Sequence, residues 1–187
     1  MRKIKTISVL AGILVVLTVI SCVSGGIRAE ADSALIGTWR GFRRGAISFT
    51  FDKSDSNHVS HVAPLFDKYG YKATFYVDPD WSTDWGSLQK LSDNGHEVGS
   101  NSITFPANEE GEEKSSKEEV DANIKSKYGC ITLAYPKGNV PSDTSYVEAN
   151  YIAARTYNDD KMTINGPSSW FRVPIHMTGS STSYSYI

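Results

Sequence analysis

From Gly45 onward, short apolar runs of strand character alternate with helical patterns, and that alternation leaves few folds open to the chain. The first run, AISFTFDK at 46–53, sets Ile47, Phe49 and Phe51 on one side and Ser48 and Thr50 on the other. It closes on a carboxylate, Asp52. Ser54 to Asn57 then supply capping residues, Val59, Val62, Leu65 and Phe66 share a helical face, and Gly70 stops that helix. Lys72 to Val77 is a second strand. Ser82 to Asn94 reads as a helix with Trp85, Leu88 and Leu91 as its stripe and Gly95 beyond its end. His96 to Ser100 is a short strand, and the charged stretch 108–117 reads as a loop entering a helix. Ser116 and Glu119 fit a capping box for that helix, with Val120 and Ile124 as its apolar contacts. Cys130 to Tyr135 and Tyr151 to Tyr157 are further strands. The pattern predicts an α/β fold with a largely parallel sheet, either a barrel or an open sheet. Both place ligands at the carboxyl ends of the strands. Asp52 stands at such an end and is a functional candidate; the alternative is that it caps the following helix.

The chain has 187 residues, enough for one domain with its own core, and a net charge of −2 with no basic stripe. That balance argues against nucleic acid as a partner. Ten Tyr and four Trp suit a sugar-binding surface and a core alike. Arg2, Lys3 and Lys5 precede an apolar run from Ile7 to Ile20, the layout of a secretory signal. Val19-Ile20-Ser21-Cys22 resembles a bacterial lipobox, which makes residues 1–22 a signal with a lipidated Cys22. Ala29-Glu30-Ala31 offers ordinary cleavage instead, and a retained anchor helix is a third possibility. In each case the domain is exported, and any membrane contact is through the anchor. Residues 23–40 read as a tether, 41–178 as the domain, and 179–187 as an irregular tail. With Cys22 lipidated or removed, Cys130 has no partner and is expected to be a buried free thiol.

Five segments together resemble the polysaccharide deacetylases, the NodB-like carbohydrate esterases of family 4. They are AISFTFD from Ala46, APLFDKYGYKATFYV from Ala63, GHEVGSNSITFP from Gly95, ITLAYPKG from Ile131 and YIAART from Tyr151, and they occur in the family's order. The resemblance implies a deformed (β/α) barrel, here incomplete at its C-terminal end. It also implies hydrolysis of the N-acetyl C–N bond of an amino-sugar polymer. A divalent metal, usually zinc, is held by one Asp and two His; a second Asp is the general base and a His the acid. Backbone N–H groups after the third motif stabilise the oxyanion.

Carried over by position, the resemblance makes Asp52 the base and Lys53 the first metal position, where the family has Asp. The second motif reads Asn101, Ser102, Ile103, Thr104, Phe105, so Asn101 and Phe105 replace both metal histidines. Gly95, His96, Glu97, Gly99 and Pro106 keep its register. Zinc sites need three firm protein ligands, so metal is expected to be absent or weakly bound and metal-dependent activity impaired or lost. In Tyr135-Pro136-Lys137-Gly138, Lys137 supplies the backbone oxyanion donor. Ala134 stands where many members have Arg; either Arg155 serves from the next strand or it is a surface or core-rim arginine. His176, in Val173-Pro174-Ile175-His176, is the candidate acid, and otherwise a loop histidine. Tyr135 and Trp170 are candidate stacking residues for the N-acetylated polysaccharide. Asp55, His58 and His61 form an imaginable second metal set, or a helix cap and a solvated surface. Functionally, the chain is an exported deacetylase-like protein; the alternatives are a non-catalytic carbohydrate-binding relative and a non-functional truncated copy.

Overall fold

In a computed structural model of the chain, the described residues are 46–81, 83–104, 111–159 and 166–178. The proposed signal, tether and tail, together with Phe105 and Pro106, lie outside them. A six-stranded sheet runs in the order β1-β2-β3-β4-β5-β6, and every neighbouring pair is parallel. The strands are β1 (Thr50–Asp52), β2 (Thr74–Val77), β3 (Glu97–Ser100), β4 (Thr132–Ala134), β5 (Ala153–Asp159) and β6 (Val173–Ile175). The helices are α1 (Ala63–Lys68), entered through a π-turn at His58–Val62, α2 (Trp85–Asp93), α3 (Glu112–Asn123) and α4 (Ser145–Asn150). This is the parallel α/β architecture that the alternating pattern predicts, and it fits the incomplete NodB-like (β/α) barrel that the resemblance implies.

Period-two alternation divides each strand between two environments. Phe75, Val77, Val98, Leu133 and Ala154 point to the helix side and form one buried core with Leu88, Leu91, Val120 and Val147. The residues between them face the concave side of the sheet. Asp84 starts α2 by accepting the Ser87 N–H at 3.1 Å, which satisfies one of the helix's orphan donors.

Three local expectations change. The strands are shorter than their apolar runs: β1 begins at Thr50, leaving Ile47 73 % exposed. Leu65 is also exposed, so the stripe narrows to Val59, Val62 and Phe66, which pack on the core. Ser116 is no helix cap. α3 starts earlier, on Gly111 at φ 90°, and Ser116 is buried within it, its hydroxyl 2.7 Å from that of Ser100. Glu112 and Glu113 in the first turn suit the helix dipole and explain the earlier start. The buried Cys130 is unbridged, and burial pushes its thiol up to about 12. Among the described residues no helix is long and apolar enough to cross a membrane.

Candidate functional site

The site lies where β1, β3 and β4 end. Among the described residues three non-glycine residues have positive φ, and each follows one of these strand ends: Lys53 at 69°, Ser102 at 69° and Lys137 at 51°. Such conformations cost on the order of 1–2 kcal/mol each and concentrate at functional sites. The chain therefore turns sharply at all three motif positions.

Asp52 does not cap the next helix. Asp55 takes that part, accepting the Asn57 N–H at 2.8 Å, while the carboxylate of Asp52 crosses the concave face to β5. One oxygen forms an ion pair with the Arg155 guanidinium, and the other accepts the Tyr157 hydroxyl at 2.7 Å. Three strands separate β1 from β5 in the sheet, so the sheet curls far enough for its concave side to become a lumen. The lumen residues explain how. Asp52 pairs in register with Tyr76, and Tyr76 with Gly99. A Cβ at Gly99 would stand 2.8 Å from the Tyr76 ring, so only glycine lets that ring lie across β3. The ring in turn supports Arg155, whose guanidinium carbon is 5.0 Å from its centroid and 5.5 Å from that of Tyr157. One layer away, Glu97 bridges β2 and β4, accepting the hydroxyls of Thr74 and Thr132 at 2.7 Å each.

Arg155 is thus neither a surface nor a core-rim residue. Its register partner on β4 is Ala134, the position where the resemblance places an arginine. The guanidinium here comes from the strand beside that position. Burial lowers it to about 10, which leaves it cationic at neutral pH. Its Nε and Nη1 are buried with no hydrogen-bond acceptor among the described residues.

The two described positions of the metal set have surroundings unlike a cation site. Asn101 is fully buried with both ends of its amide spent: Oδ1 accepts the Lys53 N–H at 3.3 Å and Nδ2 donates to the Ala134 carbonyl at 2.8 Å. The Lys53 ammonium lies 5.4 Å from the centre of the Trp81 ring. Phe105 is outside the described residues. A lysine and a neutral amide do not supply the firm ligands a divalent-cation site needs. Among the described residues no group of three or more His, Cys, Asp or Glu could hold one. The second-motif loop is held instead by Glu112, whose carboxylate accepts the hydroxyls of Ser102, at 2.8 Å, and of Thr104.

The remaining candidates are scattered. Tyr135 corrects an expectation: it is 0 % exposed and belongs to the helix-side core, so neither ring face is open to a sugar. Strand alternation puts it opposite Ala134. Trp170 is 56 % exposed, with its carbonyl accepting the Ala154 N–H at 2.8 Å. Lys137 is exposed in the turn after β4, and His176 follows the last residue of β6, partly buried. His58 packs on the Phe51 and Phe75 rings, and desolvation lowers its pKa. His61 meets Ser60 at 2.7 Å, so that pair reads as packing and helix surface. Sequence reasoning missed Tyr157 and Glu112. Tyr157 was accessible, since it lies two residues beyond Arg155 and shares its strand face.

A fold of this kind, with a rebuilt lumen at its strand ends, matches the polysaccharide deacetylase family model over residues 40–155. The chain belongs to the polysaccharide deacetylase family. Its fold is shared with the Streptococcus pyogenes deacetylase PplD in complex with acetate, at a TM-score of 0.61 and 21 % identity, over 72 % of this chain and 66 % of that one. The BpsB deacetylase domain from Bordetella bronchiseptica is similar at 0.54 and 16 %, covering 68 % and 69 %. A mutant of a carbohydrate esterase family 4 pseudoenzyme with restored enzymatic activity aligns at 0.51 and 15 %, covering 60 % and 44 %. A gellan lyase from Bacillus sp is 29 % identical over 139 residues, which is 67 % of this chain and 5 % of that protein's length.

Proposed function

We propose that this is an exported polysaccharide deacetylase-like protein that binds an N-acetylated polymer and has lost metal-dependent hydrolysis. The observation that carries the reading is Asn101. It occupies the first histidine position of the metal set, is fully buried, and has its oxygen and its nitrogen both committed to backbone groups. A neutral amide oxygen that already accepts one hydrogen bond is a poor ligand beside the imidazole it replaces. Lys53, with its ammonium against Trp81, adds positive charge where the family has a carboxylate.

Asp52 is the retained base position, but Arg155 and Tyr157 occupy both its oxygens. The Lys137 backbone N–H is the proposed oxyanion donor, His176 the proposed acid, and Trp170 the proposed sugar-stacking residue. Loss of activity within this fold has a parallel in the neighbour described as a pseudoenzyme with restored activity. The N-terminal charge and apolar pattern supports export.

The test is metal content and acetate release. The full-length protein is assayed on N-acetylated chitooligosaccharides with and without added zinc or cobalt. The expected result is no bound zinc and no metal-dependent acetate release, with saturable binding of the oligomer. Metal-stimulated release would overturn the reading. The triple substitution Lys53→Asp, Asn101→His and Phe105→His is expected to gain zinc; if it does not, the assignment of these positions is wrong.

A further inference from the structure

We infer that the apolar groove at the amino ends of β1 and β2 docks on an anionic lipid bilayer, so that the carboxyl ends of the strands face away from the membrane. This adds a direct surface contact to the anchor expected from the N-terminal pattern. It does not depend on which polymer the domain binds.

The groove has a volume of about 770 Å³ and is lined mainly by Ile47, Phe49, Leu65, Phe66, Tyr69 and Tyr71. Ile47 and Phe49 precede β1, Leu65 and Phe66 belong to α1, Tyr69 is its C-cap, and Tyr71 precedes β2. The strands are parallel, so this end of the sheet is opposite the one where Asp52, Lys53 and Asn101 stand. Phe66 packs on the core and meets the Phe49 ring edge-on, with centroids 5.2 Å apart. Packing does not account for the rest. Ten large apolar residues are exposed among the described residues, and five of them are here: Ile47, Phe49, Leu65, Tyr69 and Tyr71. Scattered singly, such residues need no partner; gathered in one groove, they mark a surface that meets something.

Charge selects the occupant. Lys72 lines the groove, and the Lys68 ammonium lies 5.4 Å from the centre of the Tyr69 ring. The nearby carboxylate of Asp67 is taken up by Lys72 and His96. The sequence leading into the groove, from Ser33 to Phe51, holds Arg40, Arg43 and Arg44 and no acidic residue, in a chain whose net charge is −2. Positive charge is thus concentrated around the apolar groove of an acidic protein. Tyrosine and lysine around an aliphatic centre suit a bilayer interface. The rings bury their apolar bodies at headgroup depth, and lysine buries its stem while its ammonium stays among the phosphates. A second copy would instead set the same cations against each other across a two-fold axis, where an anionic surface attracts them. Docked in this way, the domain presents the ends of β1, β3 and β4 outward, where a polymer can reach them.

The experiment is hydroxyl-radical footprinting of the full-length protein, alone, with phosphatidylcholine vesicles, and with vesicles of phosphatidylcholine and phosphatidylglycerol. On the anionic vesicles, oxidation of Ile47, Leu65, Tyr69 and Tyr71 is expected to fall at least about fivefold, the factor one basic side chain supplies near such a surface. Tyr128, Ile152 and Trp170, exposed and outside the groove, are expected to keep their rates. The double variant Leu65→Gln, Tyr69→Gln changes two exposed side chains and is expected to lose the protection of Ile47 and Tyr71. Should it not fold, the wild-type pattern decides alone. Equal protection by neutral and anionic vesicles overturns the inference, as does no protection by either. Uniform protection that includes Tyr128, Ile152 and Trp170 also overturns it, since the membrane then meets no particular face. Protection without lipid assigns the groove to another occupant: a second copy if it grows with protein concentration, a segment of the same chain if it does not.

Discussion

The two faces of the same strands behave as different materials. On the helix side of β2, β3 and β4 the residues are Phe75, Val77, Val98, Ser100 and Leu133, all buried and all apolar except Ser100, whose hydroxyl meets that of Ser116. On the lumen side they are Thr74, Tyr76, Glu97, Gly99 and Thr132, joined by hydrogen bonds and close packing. The first face is held by non-directional burial, which tolerates exchange among residues of similar volume. The second is held by pairs of specific atoms, so a change at one position obliges a change at another. The displaced arginine illustrates this. With Ala134 small, the guanidinium enters from the neighbouring strand at its register partner Arg155 and still reaches Asp52.

Breaking one partner of the lumen pair should have the largest effect. Arg155→Met leaves Asp52 with a half-buried carboxylate that keeps only its Tyr157 partner and should cost about 3–5 kcal/mol, measured by denaturant unfolding. Leu133→Ala, on the opposite face, should cost about 2–5 kcal/mol through the cavity it leaves. The two are separated by rescue. Adding Asp52→Leu to Arg155→Met removes the stranded charge and should recover part of the loss, because a buried pair replaced by apolar groups is often close to neutral. No second substitution next to Leu133 should do the same without refilling the volume. If the double variant is no more stable than Arg155→Met, the lumen is not held by paired atoms and the comparison fails.

Gly99→Ala should come next, at about 1–3 kcal/mol, from overpacking against Tyr76. Its particular signature is local: the added methyl pushes the ring that supports Arg155, so the Arg155 Nε–H resonance should move. Stability loss without movement of that resonance would mean that Tyr76 does not position the guanidinium.

These two faces also account for what could be read in the sequence. The apolar face was legible because burial writes a periodic pattern: the strand runs, the α2 stripe and the parallel α/β class all follow from it. The boundaries were less so. Ile47 and Leu65 fit the pattern yet are exposed, since periodicity does not say where a sheet or a core ends. The lumen was legible only where a residue type was itself informative, as at Asp52, Lys53 and Asn101. The partners of Asp52 were hidden by sequence distance, because Arg155 and Tyr157 come from a strand more than a hundred residues later. Tyr135 was misread for a related reason: a tyrosine beside the third motif suits a cleft, but strand alternation turns it into the core.

Glu113 offers the smallest and most selective test, because it is a polar group placed on the apolar side. It is 5 % exposed in the first turn of α3, its Oε1 has no partner among the described residues, and burial raises its pKa above the ordinary 4.5. A carboxyl whose folded pKa is raised binds its proton more tightly in the folded state than in the unfolded chain. Its contribution to stability is therefore fully present below about 4.5 and is lost as pH rises through the raised folded value. His58, lowered from 6.5 by desolvation, slopes the other way: its contribution is present above 6.5 and is lost as pH falls through its lowered folded value. Glu113→Gln fixes the neutral form at one position and leaves His58 unchanged, so subtraction isolates the carboxyl. Measured by denaturant unfolding from pH 4 to pH 8, the variant should gain stability relative to the wild type as pH rises, with the difference levelling above the folded pKa. A difference that stays constant with pH would show that Glu113 is solvated in the folded protein and that the core tolerates its charge.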